Sequence, residues 1–303
     1  MKIQSAAIPL QMVNDATTEK YGVRLFVLRL DLNHPDISGN KLYKLKYNLE
    51  EAEKLGKDTV LTFGGAFSNH IAATAAAGKE YGFKTIGIIR GEEYSELNPT
   101  LKFAMECGMQ INYVSREHYR NKTADEFIDS LYNQFNDFYL VPEGGANELG
   151  IKGCTEITKS IPVDFDYVCC SCGTGATLTG IILSLKENQK AIGFQILKGE
   201  NYIKQEVEGW LRKFNHPIKD NYSIEESYHL GGYAKVNPEL FSFVERFNKE
   251  NEIPLDYVYE GKMMLGIYDM IEKGYFEKGK TIVAVHGGGL QGNKGFDKVR
   301  PGK

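Results

Sequence analysis

The sequence predicts an α/β protein with two parallel-sheet units, and three observations carry that prediction. Strand-like and helix-like patterns alternate almost throughout. The pattern restarts after Gly144-Gly145. At 303 residues the chain has room for two domains, each with its own core. Alternating β-α-β order implies parallel strands covered by helices on both faces, with ligands in the crevice at the carboxyl ends of the strands.

The elements follow in order. Leu42, Leu45 and Leu49 mark an amphipathic run just after the turn Ser38-Gly39-Asn40. Residues 58–63 read as a strand and 70–81 as a close-packing, alanine-rich helix. Residues 84–90 form a second strand, and Asn98-Pro99 opens a helix through Glu106. Strand 109–114, a charged helix near 123–134 and strand 138–141 complete the first unit. The second begins with helix 150–160, strand 165–170, helix 178–186 and strand 191–197. Helices 238–249 and 262–273 and strand 281–285 close it.

Composition narrows the function classes. The apolar share is 42% and the charged share 25%, ordinary for a globular protein, and the net charge is −4 without a basic run. Nucleic acid is not an expected partner. No apolar run approaches the roughly 18 residues of a membrane helix, so no membrane partner is expected. Met1 to Ser5 lacks the start of a signal peptide. Cys107, Cys154, Cys169, Cys170 and Cys172 are an odd set and no disulfide framework, so the expected compartment is the cytoplasm. Three of them crowd one segment without a matching Cys/His pair at ligand spacing, so no metal is expected.

Three motifs carry chemistry. Lys41 follows Ser38-Gly39-Asn40 at the mouth of a helix, whereas Lys44 and Lys46 read as solvated surface. An amine there becomes a nucleophile at neutral pH if burial or positive charge lowers its pKa. Gly64-Gly65-Ala66-Phe67-Ser68-Asn69-His70 joins a strand to a helix. Free backbone N–H groups and the helix dipole make such a turn an anion cradle. Ser68 and Asn69 add donors for a carboxylate, although either could be a helix cap alone. Gly173-Thr174-Gly175-Ala176-Thr177, also between strand and helix, suits a phosphate. Leu178 stands where a dinucleotide fingerprint needs its third glycine. Gly274-Tyr275-Phe276-Glu277-Lys278-Gly279-Lys280-Thr281 spells a P-loop, but a helix precedes it and a strand follows, the inverse of the required order. A lysine, a carboxylate cradle and a phosphate cradle together are what pyridoxal phosphate chemistry on an amino acid requires.

With Tyr233, Tyr259-Glu260-Gly261-Lys262 and His286-Gly287-Gly288-Gly289 added, the chain resembles the pyridoxal-phosphate-dependent family of 1-aminocyclopropane-1-carboxylate (ACC) deaminases and D-cysteine desulfhydrases, of the tryptophan-synthase-β fold type. The likeness runs from Arg29-Leu30-Asp31 through Gly292. It implies a smaller domain, residues 43–153, inserted in a larger one, residues 1–42 plus 154–303. The cofactor lies in the crevice between them, and homodimers are usual. It assigns the Schiff-base role to Lys41, the cofactor's phenolic oxygen to Asn69 and its phosphate to Thr174, Gly175, Ala176 and Thr177. Glu260 partners the pyridine nitrogen. The substrate carboxylate falls to Ser68, Asn69 and His70, with Tyr233, Tyr259 and Ser68 beside Lys41 as catalytic groups. The implied reaction takes a small amino acid to ammonia and a 2-oxo acid. ACC would give 2-oxobutanoate, and D-cysteine would give pyruvate and sulfide. Glu260 is the residue of ACC deaminases. Gly287 stands where they carry leucine and desulfhydrases threonine, and His70 where ACC deaminases carry glutamine. The expectation is an ACC deaminase-like enzyme, with D-cysteine desulfhydrase as the alternative and a β-replacement transferase or amino acid racemase behind it.

Overall fold

The computed structural model describes residue 3, residues 6–93 and residues 96–296. The reading of Met1 to Ser5 therefore lies, apart from residue 3, outside the described residues.

The chain opens with β1 (Leu10–Val13), α1 (Ala16–Tyr21) and β2 (Arg24–Leu28), then enters α2 (Asn40–Lys54). β3 (Thr59–Gly65), α3 (Asn69–Tyr81), β4 (Lys84–Arg90), α4 (Pro99–Glu106) and β5 (Gln110–Val114) follow, then α5 (Arg116–Arg120), α6 (Asp125–Phe135) and β6 (Tyr139–Val141). Asn98 accepts from the N–H groups of Thr100 and Leu101 ahead of Pro99, the cap that the sequence signalled. α7 (Glu148–Cys154), β7 (Tyr167–Cys172), α8 (Ala176–Leu183), β8 (Lys190–Gln195), α9 (Tyr202–Lys213) and β9 (Tyr222–Glu225) come next. The last elements are α10 (Pro238–Asn251), α11 (Glu260–Glu272), β10 (Thr281–Val285) and a 3-10 stretch, Leu290–Phe296. The decoy P-loop letters fall between α11 and β10, helix first and strand second.

Two sheets result. Six strands run in the order β1-β2-β10-β7-β8-β9 and four in the order β5-β4-β3-β6. All neighbours are parallel except β1 with β2. The expected α/β fold with two parallel sheets is thus present, with an antiparallel edge strand added. Alternate residues of β7 and β10 face opposite cores. Cys169, Ile282 and Ala284 pack under α10 and α11, while Val168, Cys170, Val283 and Val285 pack under α8 and α9. The three clustered cysteines are small buried residues of β7, and no metal-binding group of His, Cys, Asp or Glu occurs among the described residues. In the smaller sheet, Ala73, Ala76 and Ala77 of α3 meet Leu45 and Leu49 of α2 on one face, and Leu131 of α6 covers the other with Phe63. The predicted helix over 150–160 is shorter: α7 ends at Cys154, and a 3-10 turn, Thr158–Ser160, follows.

Candidate active site

The turns after β7 and β10 lie at the same end of one parallel sheet, and the approaches of Gly39 to Gly287 and of Asn69 to Gly289 bring the start of α2 and the turn after β3 to them. The tightest contact is backbone on backbone. Gly39 has φ +77°, and a β-carbon there would stand 1.9 Å from the Gly287 carbonyl oxygen. The Gly39 N–H donates to Leu30 O and Asn33 Oδ1, and Asn33 Nδ2 donates to Gly39 O at 2.9 Å. This fixes the turn that aims Asn40 and Lys41. Lys41 Nζ donates to Asn40 Oδ1 at 2.6 Å, and Asn40 Nδ2 donates to Thr177 Oγ1 at 3.0 Å. One hydrogen-bonded chain therefore links the amine to the glycine-rich loop after β7.

Burial, with the Lys44 ammonium next, lowers the Lys41 pKa to about 7. The surface reading of Lys44 is wrong. Its side chain is packed into the interior three residues along α2, where burial lowers its pKa too, and only cysteines offset that effect. Lys46 is half-buried in an ion pair with Glu156 at 2.8 Å.

Around the second loop, Thr174 Oγ1 is buried without a hydrogen-bond partner, and the ring edge and hydroxyl of Tyr259 lie over Gly173. The N–H groups of the first turn of α8 have no intrahelical acceptor. Opposite, Glu260 opens α11. Its Oε1 accepts from Ser171 Oγ at 2.9 Å, and its Oε2 is buried and unpartnered. Burial and then the like charge of Asp256 push the Glu260 pKa well up. Asp256 is itself buried and caps the turn, accepting from the N–H groups of Val258, Tyr259 and Glu260.

The turn after β3 mixes both readings given for it. Ser68 is the cap of α3, accepting from Ile71 N at 3.3 Å. Asn69 reaches across to Gln291, whose amide donates to its Oδ1 at 2.7 Å, and its Nδ2 fills the space beside Gly289. The His70 ring turns inward to Thr62 Oγ1 at 2.9 Å, 2% exposed, and burial with Lys41 and Lys44 nearby keeps it neutral. What His70 offers a ligand is therefore its main-chain N–H, not its imidazole.

Tyr233 and Tyr259 meet edge to face, ring centres 6.1 Å apart. Tyr233 rides on a loop in which Leu230 and Ala234 take left-handed φ values of 53° and 54°. Lys262, fully buried, holds that loop by donating to the carbonyls of His229 and Gly232, both at 2.8 Å. Asp256 had no place in the sequence reading, Lys44 was read there as surface, and Lys262 appeared only as a letter of a motif, with no role. Asp256 lies four residues ahead of α11, outside the usual N-cap position, and nothing local marks a lysine for burial.

These donors and acceptors fit pyridoxal phosphate. A buried amine near neutrality suits the aldehyde. The unpartnered Thr174 hydroxyl, the α8 N–H groups and the buried Lys44 amine suit the phosphate, and the orphaned Glu260 oxygen suits a ring N–H.

Known proteins agree. A Pyrococcus abyssi protein that carries the provisional name 1-aminocyclopropane-1-carboxylate deaminase is 30% identical over 94% of this chain and 89% of its own length. A mitochondrial Arabidopsis thaliana protein named bifunctional D-cysteine desulfhydrase/1-aminocyclopropane-1-carboxylate deaminase is 30% identical over 92% of this chain and 75% of its own. The crystal structure of an ACC deaminase homologue superposes with a TM-score of 0.86 at 26% identity, over 99% of this chain and 94% of the other. The model of the pyridoxal-phosphate dependent enzymes matches residues 7–288, and the chain belongs to that family.

Proposed function

We propose that this enzyme is a deaminase/lyase that converts a small amino acid to a 2-oxo acid and ammonia, with ACC as substrate. The observation that carries the reading is the hydrogen-bonded chain from Lys41 through Asn40 to Thr177, which sets a near-neutral amine one residue from the phosphate loop's anchor.

Bound pyridoxal phosphate supplies an electron sink conjugated to the substrate's Cα. The chain's residues do the rest. Thr174, Gly175, Ala176, Thr177 and Lys44 hold the phosphate, and Asn69 donates to the phenolic oxygen. Glu260, whose protonated form is favoured before loading by burial and Asp256, gains a cationic partner at the ring nitrogen, which favours its carboxylate. The N–H groups of Asn69 and His70, with the Ser68 hydroxyl at the mouth of α3, hold the substrate carboxylate. Lys41 would bond the cofactor's aldehyde carbon, and as the free amine it is the base. It takes the Cα proton of D-cysteine; ACC has no Cα hydrogen, so there it takes a ring-methylene proton as the ring bond to Cα opens, and in either case it returns the proton to the leaving carbon or sulfur. Tyr259 enters as a protonated phenol. Burial, then Tyr233, Asp256 and Glu143, push its pKa well above the usual range, so it stays protonated and serves as a hydrogen-bond donor that orients the leaving group, neither a base nor an acid strong enough for a thiolate.

D-Cysteine is the second reading, since Gly287 matches neither the deaminases nor the desulfhydrases. A β-carbon there would stand 3.0 Å from Glu260 Oε1, so neither the leucine of ACC deaminases nor the threonine of desulfhydrases fits without a shift of that carboxylate. The bifunctional name of the Arabidopsis relative spans both activities.

We also assign residues 43–153, which contain the four-stranded sheet, to an inserted smaller domain. A homodimer in the cytoplasm is the setting we propose. The free, buried cysteines of β7 support a reducing compartment, and no helix among the described residues is long and apolar enough to cross a membrane.

Keto-acid release from ACC and D-cysteine, with Lys41→Ala as control, tests the reading. 2-Oxobutanoate from ACC, lost in the variant, is the expected result. Pyruvate and sulfide from D-cysteine alone would establish the second reading, and no keto acid from either would overturn both.

A further inference from the structure

A cavity of about 590 Å³ opens from the site. It touches Asn69, Tyr233, Tyr259 and Gly289, the wall where a bound amino acid would sit, and Lys41 is not among its lining residues. Much of its lining is apolar, with Val236, Pro238, Phe241, Val258 and Phe296 beside the polar Lys235, Asn237 and Asp256. Pockets of roughly 300–1,000 Å³ serve drug-sized ligands, and ACC or cysteine, each with about seven heavy atoms, is small beside a cavity of this size. Both lips carry large apolar side chains in water: Phe67 is 43% exposed and Tyr233 38%. Exposed aromatic groups converging on one cleft mark a binding surface.

We propose that this cavity takes the apolar substituent of an S-substituted cysteine, making the enzyme a lyase for cysteine thioethers. The inference rests on the deaminase/lyase reading above and extends its substrate class. A carboxylate held at the start of α3 places Cα beside Tyr259, so a chain through Cβ and sulfur passes between Tyr233 and Asn69 into the cavity. Lys41 removes the Cα proton. The Cβ–S bond then breaks, its electron pair leaving with sulfur, and the thiolate takes the proton that Lys41 removed from Cα. One water converts the remaining 2-aminoacrylate to pyruvate and ammonium. Thioether and water thus give thiol, pyruvate and ammonium, with no oxidant or reductant needed.

Gly292 lines the cavity, and a β-carbon built there meets nothing within 4 Å. Gly292→Phe therefore fills the space with little strain on the fold. The test uses holoenzyme, both enantiomers of S-benzylcysteine, D-cysteine and ACC, reading pyruvate and thiol release together with calorimetric binding. The expected result is phenylmethanethiol and pyruvate from one S-benzyl enantiomer. Gly292→Phe should lower kcat/KM for it at least tenfold relative to that for the small substrate. Turnover of D-cysteine or ACC without binding or cleavage of either S-benzyl enantiomer would overturn this inference and leave the proposed function standing. So would an unchanged ratio in Gly292→Phe. If no amino acid turns over, the proposed function fails, and calorimetry alone decides the pocket. S-benzylcysteine binding weakened by Gly292→Phe supports it, and no binding removes it.

Discussion

Burial and the Lys44 ammonium bring Lys41 down to about 7, and that value sets how the amine behaves. Only the free base attacks a carbonyl. In the apoenzyme, the rate of pyridoxal phosphate capture should therefore rise about tenfold per pH unit below 7 and level off above it. A rate still climbing toward pH 10 would mean that the amine is not desolvated as described. Stability follows the same sign. Between about 7 and the ordinary 10.5 the unfolded chain holds a proton that the folded one has lost. Stability thus rises with pH across that window. Lys41 was legible because a turn and a helix start bracket it in sequence. Lys44 was not, since its neighbours Cys154, Cys172 and Gly145 come from other elements. Lys262 was hidden for the same reason, its two acceptors lying about thirty residues away.

At the scale of elements, the start of α3 has two duties that one substitution can separate. Ser68 caps the helix and, in the proposed reading, its hydroxyl also meets the substrate carboxylate. Ser68→Asp keeps a cap acceptor and suits the dipole, so thermal unfolding should stay within about 0.5 kcal/mol of the parent. The added negative charge should raise KM for an amino acid at least tenfold. An unchanged KM would show that the carboxylate binds elsewhere. The glycine-rich cradles on strand-to-helix turns could be read directly, because their chemistry is local. The elements that escaped notice are instructive. α9 carries Ile203, Val207 and Leu211 four residues apart, a helical stripe present in the letters. β1, β2 and β9 are short edge or near-edge strands of four or five residues, too brief for their pattern to stand out.

Across the whole molecule, alternation of strand and helix was enough for two parallel sheets, since it leaves few topologies. Sequence could not show how the sheets face each other, because that depends on backbone approaches such as Gly39 against Gly287. The same approach brings an amine from one end of the chain to a carboxylate from the other, and the site exists only through it. The central claim is that Lys41, and not its buried neighbour Lys44, carries the cofactor. Borohydride reduction of the holoenzyme followed by peptide mapping tests it directly. The account predicts a phosphopyridoxyl group on Lys41 alone, absent from Lys41→Ala. A label on Lys44, or one that persists in Lys41→Ala, would contradict it.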